Sequence, residues 1–270
     1  MDLCLIAPIS LLDYQNHTST QLVLPQLTTN EKYKSAYKEF EDLGDYLILD
    51  NGAAEDQWYN VSELMSIARQ YKVDEVAIPD TLGDADTTYL RLELFFADNE
   101  PLLQDIGINE WGPKLGFVAQ GKEWHEAMRL VSRVMQSKYA SRISTVYLPR
   151  LLLQKGDRYA RIALANNIHN TYPELNIHMF GASVVWPLEM LAISKEAPFV
   201  RSMDTSMPFN FAIASKRLGV DYRQANPGRV QNYFDWCPND LKFGESAALG
   251  AQSLFWYNVQ VALRWAGGDE

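Results

Sequence analysis

The feature that most constrains this chain is a repeat of short apolar segments that each stop at a polar side chain and hand over to a helical stretch. Leu47-Ile48-Leu49 stops at Asp50, Val76-Ala77-Ile78-Pro79 at Asp80, and Leu115-Gly116-Phe117-Val118-Ala119 at Gln120. The stretch 199–208 opens with Phe199-Val200, read as the start of a short strand, and leads to Asp204. Alternation of strands and helices predicts a parallel sheet. Strands that carry polar side chains to a common rim fit a (β/α)8 TIM-like barrel, an α/β fold in a single domain over 1–270. If these strands are parallel neighbours, three acids and one amide converge on one site. Taken singly, each Asp equally suits a turn or a helix cap. A doubly wound α/β sheet is the alternative, but the chain has no Gly-rich dinucleotide or phosphate loop.

Seven strands are expected, at 3–9, 46–50, 75–80, 114–120, 144–148, 176–180 and leading to 204. An eighth is not evident, and 218–235 is the place left for it. Residues 10–30 are polar and read as a long loop, either a lid or a surface insertion. Helices are expected over 31–43, 62–71 with Ser62 as N-cap, 87–98, 123–137, 157–170, 187–194 and 245–265, with a loop at 99–113. Small residues after Asp50 (Asn51-Gly52-Ala53-Ala54) either admit a flat ligand or make a tight turn.

The chain of 270 residues is 47% hydrophobic, enough for a sizeable core. Its net charge of −10 argues against a general polyanion-coating role, although a local basic face can still bind nucleic acid. Such a face is offered by Lys216, Arg217, Arg223 and Arg229, with only Asp221 as an acid between them. These cations suit phosphate binding, and equally a solvated surface. Cys4 and Cys237 are the only cysteines and fit a reducing compartment. His17, His125, His169 and His178 lack metal-ligand spacing, so no metal and no cofactor are expected. Met1-Asp2 opens no signal peptide, and no run reaches the ~18 apolar residues of a membrane span. A cytoplasmic protein without a membrane partner is expected.

Taken in order, the strand-end motifs over about 46–208 resemble those of the tRNA-guanine transglycosylase superfamily. Leu49-Asp50-Asn51-Gly52-Ala53-Ala54-Glu55 stands where that family has Asp-Ser-Gly-Gly-aromatic-Gln, and Ile78-Pro79-Asp80 where it has a strand-end Asp. Val118-Ala119-Gln120-Gly121 is similar to its Val-Gln-Gly, and Tyr147-Leu148-Pro149 falls at its Gly-Leu strand. His178-Met179-Phe180-Gly181-Ala182 resembles its His-Tyr-Leu-Met-Gly-Val segment. Asp204-Thr205-Ser206-Met207-Pro208 resembles its nucleophile motif, Asp-Cys-Val-Leu-Pro. Two departures stand out. The family's tRNA enzymes hold zinc with three cysteines and a histidine after the nucleophile, whereas here only Cys237 follows, so a zinc subdomain is expected to be absent. The family's basic Pro-Thr-Arg-x-x-Arg-Asn-Gly run is missing, because Phe-Asn-Phe-Ala follows Pro208. Both departures are similar to the DNA-modifying branch, the 7-deazaguanine DNA transglycosylases of phages and bacteria.

The resemblance implies exchange of guanine in DNA for a 7-deazaguanine such as preQ0, in the cytoplasm of a host if the chain is phage-encoded. It implies Asp204 as the nucleophile on C1′ and Asp50 as the acid/base group. Asp80, Gln120 and Gly121 would hold the base edge with the backbone at Leu148 and Pro149, while Phe180 or Tyr14 stacks on the ring beside Gly181. Lys216, Arg217, Arg223 and Arg229 would meet phosphates. DNA and the free base are the expected partners. A tRNA enzyme, a plain N-glycosidase and a non-catalytic base-binding partner subunit stay open, as do a homo-oligomer and an accessory protein.

Overall fold

The computed structural model describes residues 1–53, 60–105, 112–153, 158–182, 186–221, 230, 232–237 and 245–269, and only the backbone at 98–105, 153 and 245–251. Eight parallel strands lie in the order β1-β8-β7-β6-β5-β4-β3-β2. They are β1 Asp2–Leu5, β2 Thr20–Val23, β3 Tyr46–Leu49, β4 Glu75–Ala77, β5 Lys114–Val118, β6 Ile143–Pro149, β7 Asn176–Phe180 and β8 Ser202–Thr205. Helices α1 Glu31–Leu43, α2 Val61–Gln70, α3 Ala85–Asp105, α4 Trp124–Met135, α5 Ala160–Thr171 and α6 Glu189–Glu196 alternate with the strands from β2 onward. After β8 come α7 Met207–Ile213, α8 Leu218–Asp221 and α9 Glu245–Gly267. This is a nearly closed (β/α)8 barrel with its helices outside, as the strand-helix alternation predicts.

The strand order corrects the expected course of the chain in two places. The eighth strand lies in 10–30, not in 218–235. Thr20 and Gln21 are polar yet buried, and the Gln21 amide finds the Thr18 carbonyl at 2.7 Å and the Asp45 carboxylate at 2.8 Å. Buried polar groups persist when hydrogen-bonded, and with two of its four residues polar this strand lacks a continuous apolar run. The described part of 218–235 holds α8 and a 3-10 turn at Tyr233–Asp235 instead. The last strand also begins later than expected. The Val200 amide turns back onto the Ala197 carbonyl at 3.0 Å, and β8 starts at Ser202, so Asp204 sits within the strand.

Local chemistry sets several other boundaries. Asn60, not Ser62, caps α2, and it completes a capping box with Glu63. Helix α3 runs to Asp105 through Pro101, where the missing N–H removes one internal bond without ending the helix. Strand β4 stops at Ala77, before Pro79, which cannot donate to a ladder. Helix α9 closes the domain. Its Asn258 is fully buried and bonds the Leu218 amide at 2.8 Å and the Lys216 and Pro208 carbonyls at 3.0 and 3.1 Å.

The barrel interior is polar at its N-terminal end. Glu75, at the start of β4, is fully buried and meets both terminal nitrogens of Arg201 at 2.7 and 2.9 Å. It also accepts from Tyr46 at 2.9 Å, Thr145 at 2.9 Å and Tyr147 at 2.6 Å. Burial alone would raise the Glu75 carboxyl, but the Arg201 bond and charge, joined by Tyr147 and Thr145, outweigh it and hold the pKa below its usual value. Gly116 of β5 makes room for Tyr147, because a Cβ there would lie 2.5 Å from the Tyr147 ring.

At the remaining junction β1 and β2 stand side by side without a ladder among the described residues. Side chains satisfy the backbone there. The Leu5 carbonyl accepts from Gln15, and the Leu22 carbonyl accepts from Tyr37 at 2.5 Å and Tyr33 at 3.4 Å. The Tyr33 hydroxyl also accepts from the Leu24 amide at 2.8 Å.

Candidate active site

Because all eight strands are parallel, their C-terminal ends share one rim. Asp50 directly follows β3, Asp80 and Gln120 lie just past β4 and β5, Pro149 ends β6, Phe180 ends β7, and Asp204 is the third residue of β8. The expected site residues of the rim therefore face one end of the barrel, where they fall into two hydrogen-bonded groups.

The first group is built on β7 and β8. Asp204 Oδ1 accepts the Gly181 amide at 2.7 Å and lies 3.3 Å from His178 Nε2. The Asp204 side chain retains 13% exposure, which makes it reachable, whereas His178 is fully buried. Gly181 takes φ +69, a left-handed turn open to glycine without strain, and this turn directs its amide at the carboxylate. Phe180 stacks on Tyr147 with ring centroids 4.5 Å apart.

Arg161 of α5 braces this turn from behind. It is fully buried and donates to the carbonyls of Leu148 at 3.0 Å, Phe180 at 2.9 Å and Gly181 at 2.9 Å. A bidentate pair with Glu189 of α6, at 2.9 and 2.7 Å, completes its bonding. The Leu148 carbonyl, expected to help hold a base, is thus engaged by Arg161.

The second group is built on β3, β4 and β5. Asp80 Oδ1 accepts from Asn51 Nδ2 at 2.8 Å, Asp80 Oδ2 accepts from the Gln120 amide, and Gln120 Oε1 accepts from the Gly83 amide at 2.9 Å. Asn51 also donates to the Ile78 carbonyl at 2.9 Å and takes the Ala53 amide at 3.0 Å. Asp50 is half-buried, with its amide on the Val23 carbonyl at 3.0 Å. Gly121 packs on α4, where a Cβ would come within 2.8 Å of the Ala127 nitrogen. That packing accounts for the glycine without a ligand.

Burial raises the Asp80 carboxyl above its usual range, and the Gln120 and Asn51 bonds with the Arg91 charge offset this only in part. A carboxyl raised in the folded state adds stability below its unfolded pKa and loses that contribution as pH rises through the folded value. Asp80→Asn removes the ionisation. Its stability relative to the native chain should therefore improve as pH rises from about 4 to 7, read by chemical denaturation at several pH values. A difference that stays flat over that range would refute the assignment.

The other expected residues lie elsewhere. Tyr14 packs edge-on to Phe209 at 6.1 Å and belongs to the cluster under α9. Lys216 and Arg217 follow α7, at the far end of that helix from Asp204. Arg217 is exposed, and its amide donates to Asp221 at 2.7 Å. Arg223, Arg229, Ala54 and Glu55 lie outside the described residues.

Sequence reasoning missed Asn51, Ser202 and Arg161 and gave His178 no role. Arg161 left one trace, as the single charge in Ala160-Arg161-Ile162-Ala163-Leu164-Ala165. No described helix is long and apolar enough to cross a membrane. The chain matches no protein-family model, and a search of curated proteins returns no significant match.

Proposed function

We propose that this barrel is a base-exchange transglycosylase that replaces guanine in DNA with a 7-deazaguanine. The observation that carries the reading is Asp204, a reachable carboxylate at the barrel mouth held through one oxygen. Among the described residues both its side-chain bonds end on Oδ1, and we assign Oδ2 to attack. In the first displacement Oδ2 bonds to C1′ while the C1′–N9 bond breaks, and its electron pair leaves with the guanine. Asp50 gives that base a proton. In the second displacement the incoming 7-deazaguanine loses its proton to Asp50 and attacks C1′, and the Asp204 ester bond returns its pair to Oδ2. Two inversions give net retention, and the proton returns to its donor.

Asp80 and Gln120 suit the base edge. A carboxylate oxygen accepts more than one bond, so Asp80 can take guanine N–H donors while it keeps Asn51 and Gln120. Phe180 is next to Gly181, whose amide holds Asp204, and it is half-buried, as a stacking partner must be. The target nucleotide has to leave the duplex, at a few kcal/mol by general experience of such enzymes. Lys216, Arg217, Arg223 and Arg229 are the cations we assign, by their closeness in sequence, to phosphate contacts in a chain of net charge −10.

A binding-only barrel is the second reading, because Asp80 and Gln120 are held in place by Asn51 and Gly83 and could grip a base edge whether or not Asp204 reacts. The deciding experiment follows labelled guanine, preQ0 and preQ1 into duplex DNA and into tRNA side by side. Label in DNA supports the proposal. Label in tRNA assigns the chain to the RNA-modifying branch. Label in neither, with calorimetric binding of the free base, supports the binding-only barrel.

A further inference from the structure

Asp204 stands at one end of a polar line that runs through the barrel interior. The line starts at Glu75, which holds the Arg201 guanidinium through both terminal nitrogens. Arg201 Nε then donates to Ser202 Oγ at 3.3 Å. Ser202 Oγ lies 2.8 Å from His178 Nδ1, and His178 Nε2 lies 3.3 Å from Asp204 Oδ1. Ser202 and His178 are fully buried. The Tyr147 and Phe180 rings meet the imidazole edge-on at 5.6 and 5.2 Å and fix its plane.

Donor and acceptor capacities give this line a direction. An arginine nitrogen only donates, so Ser202 Oγ accepts from Arg201 and keeps its own proton for another partner. An ionised carboxylate only accepts, so the nitrogen facing Asp204 carries a proton. A neutral imidazole with its proton on Nε2 has a bare Nδ1, which is the acceptor the Ser202 hydroxyl requires. Both ends of the line therefore demand the same tautomer.

We propose that Ser202 and His178 are positioning residues for Asp204. Arg201 sets Ser202 as donor to His178 Nδ1, which holds the imidazole neutral with its Nε2 proton directed at Asp204 Oδ1. Together with the Gly181 amide, this gives Oδ1 two N–H donors, one from β7 and one from the turn directly after it, and fixes the carboxylate plane. In its catalytic half the inference rests on the reading of Asp204 as nucleophile. There, the two donors orient Oδ2 toward C1′ and stabilise the carboxylate as it leaves in the second displacement. The tautomer itself is a property of the folded chain, whatever the reaction.

Nitrogen-resolved NMR of the histidine rings in the full chain tests it. The chain has 4 histidines, and the His178 signals are those missing from His178→Gln. The expected result is a neutral ring, protonated at Nε2, whose Nδ1 resonance moves toward that of an acceptor without a donor in Ser202→Ala. A ring protonated at Nδ1, a doubly protonated ring, or an Nδ1 resonance unchanged in Ser202→Ala would overturn the proposal. Kinetics supply the second readout. Loss of one such bond should lower kcat roughly tenfold in Ser202→Ala with KM for the base unchanged. His178→Gln, which keeps an N–H for Asp204, should retain more kcat than His178→Leu. Equal kcat in folded His178→Gln and His178→Leu would overturn the positioning role. If the native chain exchanges no base on any substrate, the proposed function fails, while the NMR still decides the tautomer.

Discussion

Asp204→Ala is expected to abolish base exchange, by at least roughly 10⁴-fold in kcat, as loss of a covalent nucleophile does. The protein should still fold, because Asp204 is not part of the apolar core and its two bonds on Oδ1 involve one buried histidine and one glycine amide. Circular dichroism and denaturant midpoints separate loss of chemistry from loss of fold. A covalent adduct gives a direct reading. The native chain incubated with DNA and no free base should gain the mass of a bound strand under denaturing conditions, and Asp204→Ala should not. Exchange by a folded Asp204→Ala variant would remove this residue as nucleophile and leave the barrel mouth as a binding site.

The second large effect concerns stability. Arg161→Met should destabilise the protein by about 3–5 kcal/mol, the range for breaking one side of a buried ion pair. It leaves Glu189, 1% exposed, as an unmatched buried carboxylate. It also leaves the Leu148, Phe180 and Gly181 carbonyls without their donor. The double variant Arg161→Met, Glu189→Leu should recover part of the loss, because no charge is then buried alone. Urea denaturation measures both. A single variant within about 1 kcal/mol of the native chain would show that these carbonyls find other partners. Gly181 links the two predictions, since the turn that Arg161 braces is the one whose amide holds Asp204.

The sequence made the barrel and its rim legible for a specific reason. Seven strands alternate with helices at a spacing that only a parallel arrangement accommodates, and Asp50, Asp80, Gln120 and Asp204 each sit at or just past a strand end. A common end of the barrel follows from that placement alone. The missing strand, Thr20–Val23, escaped because half of it is polar, and the burial of Gln21 depends on its bonds to Asp45 and Thr18. The start of β8 was misplaced because apolar Phe199-Val200 forms the turn, while polar Ser202 and Asp204 form the strand. The Glu75–Arg201 pair joins residues 126 apart, and no local pattern announces such a partner. His178 was visible as part of a motif, but its role rests on Ser202, whose hydroxyl is unremarkable in sequence. The proposed substrate comes from the motif resemblance, not from the strand-end geometry.

The β1–β2 junction has a consequence for how this barrel can vary. Seven junctions are laced by main-chain bonds, which every residue except proline can make, so substitution hardly touches them. At the eighth, among the described residues, the Gln15 amide meets the Leu5 carbonyl of β1 while the Tyr33 and Tyr37 hydroxyls meet the Leu22 carbonyl of β2, and each of these side chains can be lost in a single codon change. Heritable tuning of the barrel is therefore concentrated along one line. The Asp204 group lies close to that line, because Asp204 of β8 stands in register with Cys4 of β1, so change at the junction reaches the site through a single strand.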